Sequence, residues 1–387
     1  MNQLLPERPL PALAVPVVDR TPLQSLLPHP FDGSLGAPFL HERRGMPAAR
    51  LRIGVVIPAY RVRANVLEVL AAVGPEVERI YVVDDACPDG SGMLVKERCA
   101  DPRVHVLFNS KNQGVGGAVL EGYLQGLAEG MAVLVKIDGD GQMDPAILPA
   151  FVAPIAAGEA DYTKGNRFFD LTNVRRMPGV RLFGNAVLSF FAKVSTGYWQ
   201  LLDPTNGYTA IHAEVARRLP FGKLNRRYFF ETDMLFRLNV VRAAVVDVPM
   251  DPLYGDEQSS LSIGRVIPEF LYKHARNTLK RVFYNYFLRD MSLASLQLVA
   301  GLLLTIAGVW YGAYNWIESA AANVATPAGT VAVAFLPVLL GIELLLAFFA
   351  HDIAAAPTRV IHPVLRMQSS RRTARKAEPL RTHADHS

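Results

Sequence analysis

The sequence predicts an α/β protein: a doubly wound, mostly parallel sheet, then basic amphipathic helices and a two-helix transmembrane hairpin. Three observations predict it. Short β-branched runs alternate with stretches of helical period between residues 52 and 140. The polar clusters fall at the carboxyl ends of those runs, where ligands of such sheets sit. Two long apolar spans with basic outer flanks follow residue 290.

Residues 1–50 read as a Pro-rich, disordered extension, because proline after proline removes backbone donors and fixes φ. Residues 51–262 form the α/β domain. Arg52–Pro58, Glu78–Asp85, Val104–Phe108 and Ala132–Ile137 are its first four strands. Val66–Val73 and Ala118–Glu129 have helical spacing. Residues 263–290 interleave Lys273, Arg276, Lys280, Arg281 and Arg289 with aromatic and aliphatic residues, a pattern suited to an anionic membrane face. Within residues 291–352, the spans 293–316 and 329–350 are long enough to cross a bilayer, the first at roughly 36 Å. Basic flanks outside the hairpin and none between its arms put the α/β domain in the cytosol by the positive-inside rule. Glu343 is either an intramembrane acid or a residue near the cytosolic interface. Residues 353–387 read as a basic cytosolic tail.

Composition narrows the chemistry. Half of the 387 residues are apolar and the mean hydropathy is +0.18, high for a soluble protein. Two cysteines, Cys87 and Cys99, exclude a disulfide scaffold and lack zinc-knuckle spacing. A net charge of +5 suits an anionic partner without choosing which.

Asp138-Gly139-Asp140-Gly141-Gln142 is the sharpest motif. Two carboxylates one residue apart in a glycine-permitted turn can both reach a hard cation, Mg²⁺ or Mn²⁺, that keeps sites open for diphosphate oxygens. Asp84-Asp85 closes another strand and suits either a base N–H or ribose hydroxyl, or capping of the turn at Pro88–Ser91. Asn112–Ala118 is glycine-rich, but Val119 breaks the dinucleotide fingerprint and no G-K-[ST] occurs anywhere. These departures argue against NAD and P-loop chemistry, and the glycines more simply serve close approach of backbone to a ligand or helix.

Val56–Tyr60, Val82–Asp85, Asn112–Ala118 with Gly122, Asp138–Gln142 and Gly165–Arg167 resemble, in order and spacing, the motifs of family 2 glycosyltransferases. Within that family the chain is most similar to the polyprenyl-phosphate sugar synthases, to which Asp203–Tyr208 and Tyr228–Arg237 add further likeness over residues 52–260. The resemblance implies a GT-A fold, a nucleotide-diphospho-sugar donor and a polyprenyl phosphate acceptor. It implies nucleoside contacts from Pro58, Ala59, Tyr60, Val82, Asp84 and Asp85 with Gly139, and metal contacts from Asp138, Asp140 and Gln142. Arg167 would meet the donor phosphates, and Arg175, Arg176, Arg181 and Asn206 the acceptor phosphate. Departures are Arg61-Val62 in place of Asn-Glu, Ala86-Cys87 in place of Gly-Ser, and a 254–259 loop without the usual cations.

Chemistry separates the acceptors. A hydroxyl needs a positioned base, for which Glu231 and Asp233 are candidates, with orientation of neighbours or capping as their other use. A phosphate monoester, with a second pKa near 6, is already ionised at pH 7 and needs cations instead. The expectation is an inverting, metal-dependent transfer to polyprenyl phosphate at the cytosolic face of a bacterial cytoplasmic membrane, with no nucleic-acid partner and with self-association open. A hydroxyl acceptor and a non-catalytic nucleotide-sugar scaffold are the alternatives.

Overall fold

A computed structural model describes residues 51–170, 179–251 and 263–377. The first 50 residues, Arg175, Arg176 and the 254–259 loop lie outside the described residues, as does the side chain of Arg181. The described chain opens with the four expected strands and two expected helices, and adds α2: β1 (Ile53–Ala59), α1 (Val66–Ala72), β2 (Arg79–Asp84), α2 (Ser91–Arg98), β3 (Val104–Phe108), α3 (Val115–Ala128) and β4 (Val133–Lys136). Then come α4 (Leu148–Ala156), β5 (Tyr162–Asn166), α5 (Gly179–Thr196), β6 (Thr209–His212), α6 (Ala213–Ala216), α7 (Phe230–Val240) and β7 (Val245–Pro249).

The strands form one sheet in the order β3-β2-β1-β4-β6-β5-β7. β1 to β4 run parallel to one another, β6 runs antiparallel to both β4 and β5, and β7 is parallel to β5. This is the mostly parallel, mixed sheet that the GT-A resemblance implies. Alternation along β1 explains its two cores: Val55 and Ile57 pack on one face with Leu70, Ile80 and Phe151, whereas Val56 packs on the other with Tyr81, Tyr123 and Leu134. Both faces are covered, so the strands read as unbroken apolar runs.

Past β7, α8 (Ile263–Phe283) leads through a π-turn (Tyr284–Arg289) into α9 (Leu293–Ala321) and α10 (Ala328–Ala354). The last two are long and apolar enough to cross a membrane and exceed the predicted spans at both C-terminal ends. They pack through small residues: a Cβ on Gly341 would strike Thr305, and one on Gly308 would strike Val338. Glu343 is exposed on α10, eleven residues short of its C-terminal end. Below the hairpin, Asp352 is buried and accepts hydrogen bonds from Arg281, Tyr286 and Trp199.

One expectation needs correction. The segment after the hairpin is not simply a tail, because it returns to the sheet domain as α11 (His362–Ala377). The backbone N–H groups of Ile361 and His362 donate to the buried Asp161 carboxylate at 2.9 Å. Ile361 and Leu365 meet the core, and the His362 ring stacks on His212 with centroids 4.1 Å apart. These two apolar residues are too few to register as a period in a sequence otherwise rich in Arg and Ser.

Candidate active site

The site is built around the carboxyl end of β4. Lys136 is its last residue and is 1% exposed, with its Nζ 2.7 Å from Asp138 Oδ1, 3.4 Å from Glu231 Oε1 and 3.0 Å from the Gly207 carbonyl. Burial opposes the ammonium charge, but the Asp138 and Glu231 carboxylates outweigh it and hold the lysine pKa above its ordinary value. Lys136 thus ties together β4, the loop entering β6 and the first turn of α7. Gly207 is required there: a Cβ would lie 2.5 Å from Asp138 Oδ2 and 2.6 Å from Lys136 Nζ.

Asp140 follows in the same turn. Its Oδ1 accepts the Gln142 amide at 3.0 Å, and its carbonyl accepts from the Asn65 side chain. Lys136 therefore brings Asp138 and Glu231 together, and Asp140 lies two residues after Asp138 in the same turn. Gln142 is exposed, and its contact here is through its backbone. Among the described residues no cluster of three or more His, Cys, Asp and Glu suits a metal. Two hard carboxylates fit a divalent cation that takes its remaining oxygens from a diphosphate and water, as Mg²⁺ and Mn²⁺ do.

The β2 end is different. Asp84 Oδ1 accepts the Cys87 amide at 2.8 Å and Oδ2 the Gly92 amide at 2.7 Å. Asp85 accepts the Gln113 and Gly114 amides and the Asn109 side chain at 2.7–2.9 Å. Both carboxylates are at most 4% exposed. They brace the loop into α2 and the glycine turn into α3, the capping use of an acid rather than open ligand contact. That turn's glycines serve helix packing, since a Cβ on Gly116 would lie 2.6 Å from the Asn225 carbonyl and from Phe230.

The loops after β1 and β2 carry non-glycine residues in the left-handed region, Arg61 at φ 58° and Ala86 at φ 52°. They are joined by the Arg61 amide donating to Cys87 Sγ and the Val62 amide to Ser91 Oγ. Ala86 stands where the resembled family has glycine, which such a φ favours. Tyr60 is 42% exposed beside them. Val82 is corrected: its side chain is fully buried and its backbone sits between β1 and β3, so it has no surface to give a nucleoside. Pro58 and Ala59 are likewise buried in the sheet.

At the end of β5, the Arg167 guanidinium donates to both oxygens of the buried Asp203, at 2.7 and 3.2 Å, and is itself about one-third exposed. Asn206, expected at the acceptor phosphate, is corrected too. It is 2% exposed, with Nδ2 on Asp203 and Met250 and Oδ1 accepting the Tyr208 amide. Asp233 points away from the site: the Asn225 amide, the Asn277 side chain and Arg237 hold it.

Lys136 and Lys164 were not singled out from the sequence. Lys164 is fully buried in β5, its ammonium donates to the Asn206 carbonyl, and burial pushes its pKa down to about 8 despite Glu231 and Asp203. A lysine interrupting an apolar run, as in Val133-Leu134-Val135-Lys136-Ile137, is a signal for Lys136, whereas Tyr162-Thr163-Lys164-Gly165-Asn166 offers none for Lys164.

Residues 54–219 match the family described as Glycosyl transferase family 2. Polyprenol monophosphomannose synthase of Mycolicibacterium smegmatis is 34% identical over 57% of this chain and 84% of its own length. Undecaprenyl-phosphate mannosyltransferase of Micrococcus luteus is 30% identical over 57% of this chain and 90% of its own length. Among solved structures, mannosyl-3-phosphoglycerate synthase of Rubrobacter xylanophilus aligns with 63% of this chain and 80% of that one at 16% identity and a TM-score of 0.47.

Proposed function

The chain belongs to glycosyltransferase family 2, and from that premise we propose that it moves a mannosyl group from a nucleoside-diphosphate donor to the phosphate of a polyprenyl lipid. The sugar and acceptor follow the two relatives named above. One observation carries the choice of a phosphate acceptor over a hydroxyl: both candidate bases are engaged. Glu231 is 13% exposed and faces Lys136 at 3.4 Å, and Asp233 is bound on the far side of α7. A phosphate monoester supplies its own ionised oxygen and needs neither.

The donor's nucleoside would lie against Tyr60 and the loops that Asp84 and Asp85 hold in shape. Asp138 and Asp140 would hold a divalent cation, which when bound offsets charge developing on the leaving diphosphate. Lys136 fixes Asp138 in place and balances the crowded carboxylates. Arg167, oriented by Asp203, would face the donor phosphates, and Arg175, Arg176 and Arg181 would meet the acceptor phosphate. The bond from the anomeric carbon to the diphosphate breaks, its electron pair leaving with the nucleoside diphosphate, while an acceptor phosphate oxygen bonds that carbon from the opposite face. An α-linked donor then gives a β-linked product. With Lys280, Arg289, Arg359 and Arg366 outside the hairpin, the reaction belongs on the cytosolic side of the cytoplasmic membrane.

The test is transfer from labelled nucleoside-diphosphate mannose with undecaprenyl phosphate, using purified full-length protein. Label should enter an organic-extractable lipid. Label found only in polymer would move the acceptor to a hydroxyl, and transfer of another sugar but not mannose would overturn the donor.

A further inference from the structure

A second polar pocket of about 260 Å³ lies between the 223–229 segment, α7 and α8. Its lining includes Lys223, Arg226, Arg237, Lys273 and Arg276, against the single carboxylate of Asp233. That carboxylate is already held by the Asn225 amide and the Asn277 side chain. Asp233 and Arg237 lie one turn apart on one face of α7, whereas Glu231, two residues before Asp233, faces β4 on the other. The pocket is therefore separated from the Asp138–Lys136 cluster by the helix itself.

Its cations outnumber the carboxylates that the described residues set against them. Arg237 pairs with Asp233 and Lys273 with Glu269, but Lys223 and Arg276 have no ion-pair partner among the described residues. Lys280 alongside is pushed below its ordinary pKa, first by burial and then by the charges of Arg276 and Arg237. Like charges gathered in a concavity repel unless an anion enters. The surroundings indicate which anion. Arg276 shares one face of α8 with Tyr272, Leu279 and Phe283, all at least 55% exposed. That apolar stripe runs towards α9 and α10, so the pocket adjoins a surface suited to the acyl–headgroup boundary.

We propose that this pocket binds the phosphodiester headgroup of an anionic bilayer lipid, separately from the lipid phosphate that is glycosylated. This rests on the reading of α9 and α10 as membrane spans. The bound headgroup neutralises the cation cluster and seats α8 against the bilayer beside the active site.

Delipidated full-length protein in neutral detergent, titrated with phosphatidylglycerol or phosphatidylcholine and read by native mass spectrometry, tests it. Wild type should retain phosphatidylglycerol about tenfold better. Lys223→Gln with Arg276→Gln should abolish that preference, and Lys223→Arg with Arg276→Lys should keep it. Should the double variant misfold, Arg276→Gln alone, on an exposed helix position, should still weaken retention severalfold. An unchanged preference in the neutralised variants would overturn the proposal. Displacement of phosphatidylglycerol by millimolar inorganic phosphate would also overturn it, by making this a site for free anions. Displacement by undecaprenyl phosphate would do the same, by assigning the pocket to the acceptor.

Discussion

The loops after β2 and β4 begin alike, each with two acids at the end of a buried parallel strand, yet they end differently. Asp84 and Asp85 are saturated by backbone amides and one asparagine, and almost no water reaches them. Asp138 and Asp140 keep partial exposure, with Lys136 on the first and the Gln142 amide donating to the second. Exposure to solvent separates the two pairs. A buried carboxylate already accepting several N–H groups has little left for a cation or substrate, whereas a partly exposed one can still be approached.

Substitutions sharpen that contrast. Asp140→Asn should produce the largest effect, a loss of transfer of at least about 100-fold with the thermal midpoint nearly unchanged. Retained activity would remove the β4 turn from the reaction. Gly207→Ala presses a methyl group on Asp138 Oδ2 and should cost about tenfold in kcat, because a small misplacement of a reacting group is expensive. Asp85→Asn should do the reverse of Asp140→Asn. It should lower stability by about 2 kcal/mol, read by denaturant unfolding, and raise the donor KM while leaving kcat within a fewfold. A kcat loss as large as that of Asp140→Asn would erase the distinction between the two loops.

Asp247 offers the mildest test because it stands between the two classes. One of its oxygens accepts the Leu202 amide at 2.8 Å and the other is buried without a partner, and burial pushes its pKa up to about 6. A carboxyl raised in the folded state contributes stability at low pH that is lost as pH climbs from about 4 through about 6. The thermal midpoint of Asp247→Asn should lack that part of the decline. Identical pH profiles for the two proteins would show that the missing amide does not matter.

How far the sequence could be read follows the same logic. β1 to β4 were legible because β-branched runs between helical stretches leave few other folds, and the twin acids at 138 and 140 stood out by spacing. Val82, Pro58 and Ala59 lay in runs that read as strand, yet the resemblance set them at the nucleoside, since a motif names positions and not the side of a sheet from which a ligand approaches. The roles of Asn206 and Asp233 depended on Met250 and Asn277, partners 44 residues away in each case, which no local pattern encodes. Lys136 interrupts an apolar run, but Lys164 lies in a polar strand with no such mark, and only the arriving carboxylates make either buried charge tolerable. α11 escaped notice for a related reason: Asp161, two hundred residues earlier, fixes its start.

The return of the chain through α11 has a geometric consequence. The hairpin leaves the sheet domain from α8 and comes back to it, with Asp352 gripping Arg281 at one junction and Asp161 fastening residues 361 and 362 at the other. A body hung from one strap can swivel and change its height; a body held at both ends of a loop has its altitude and heading set. The sheet domain, and with it the turn after β4, is thereby held at both ends of the hairpin rather than at one.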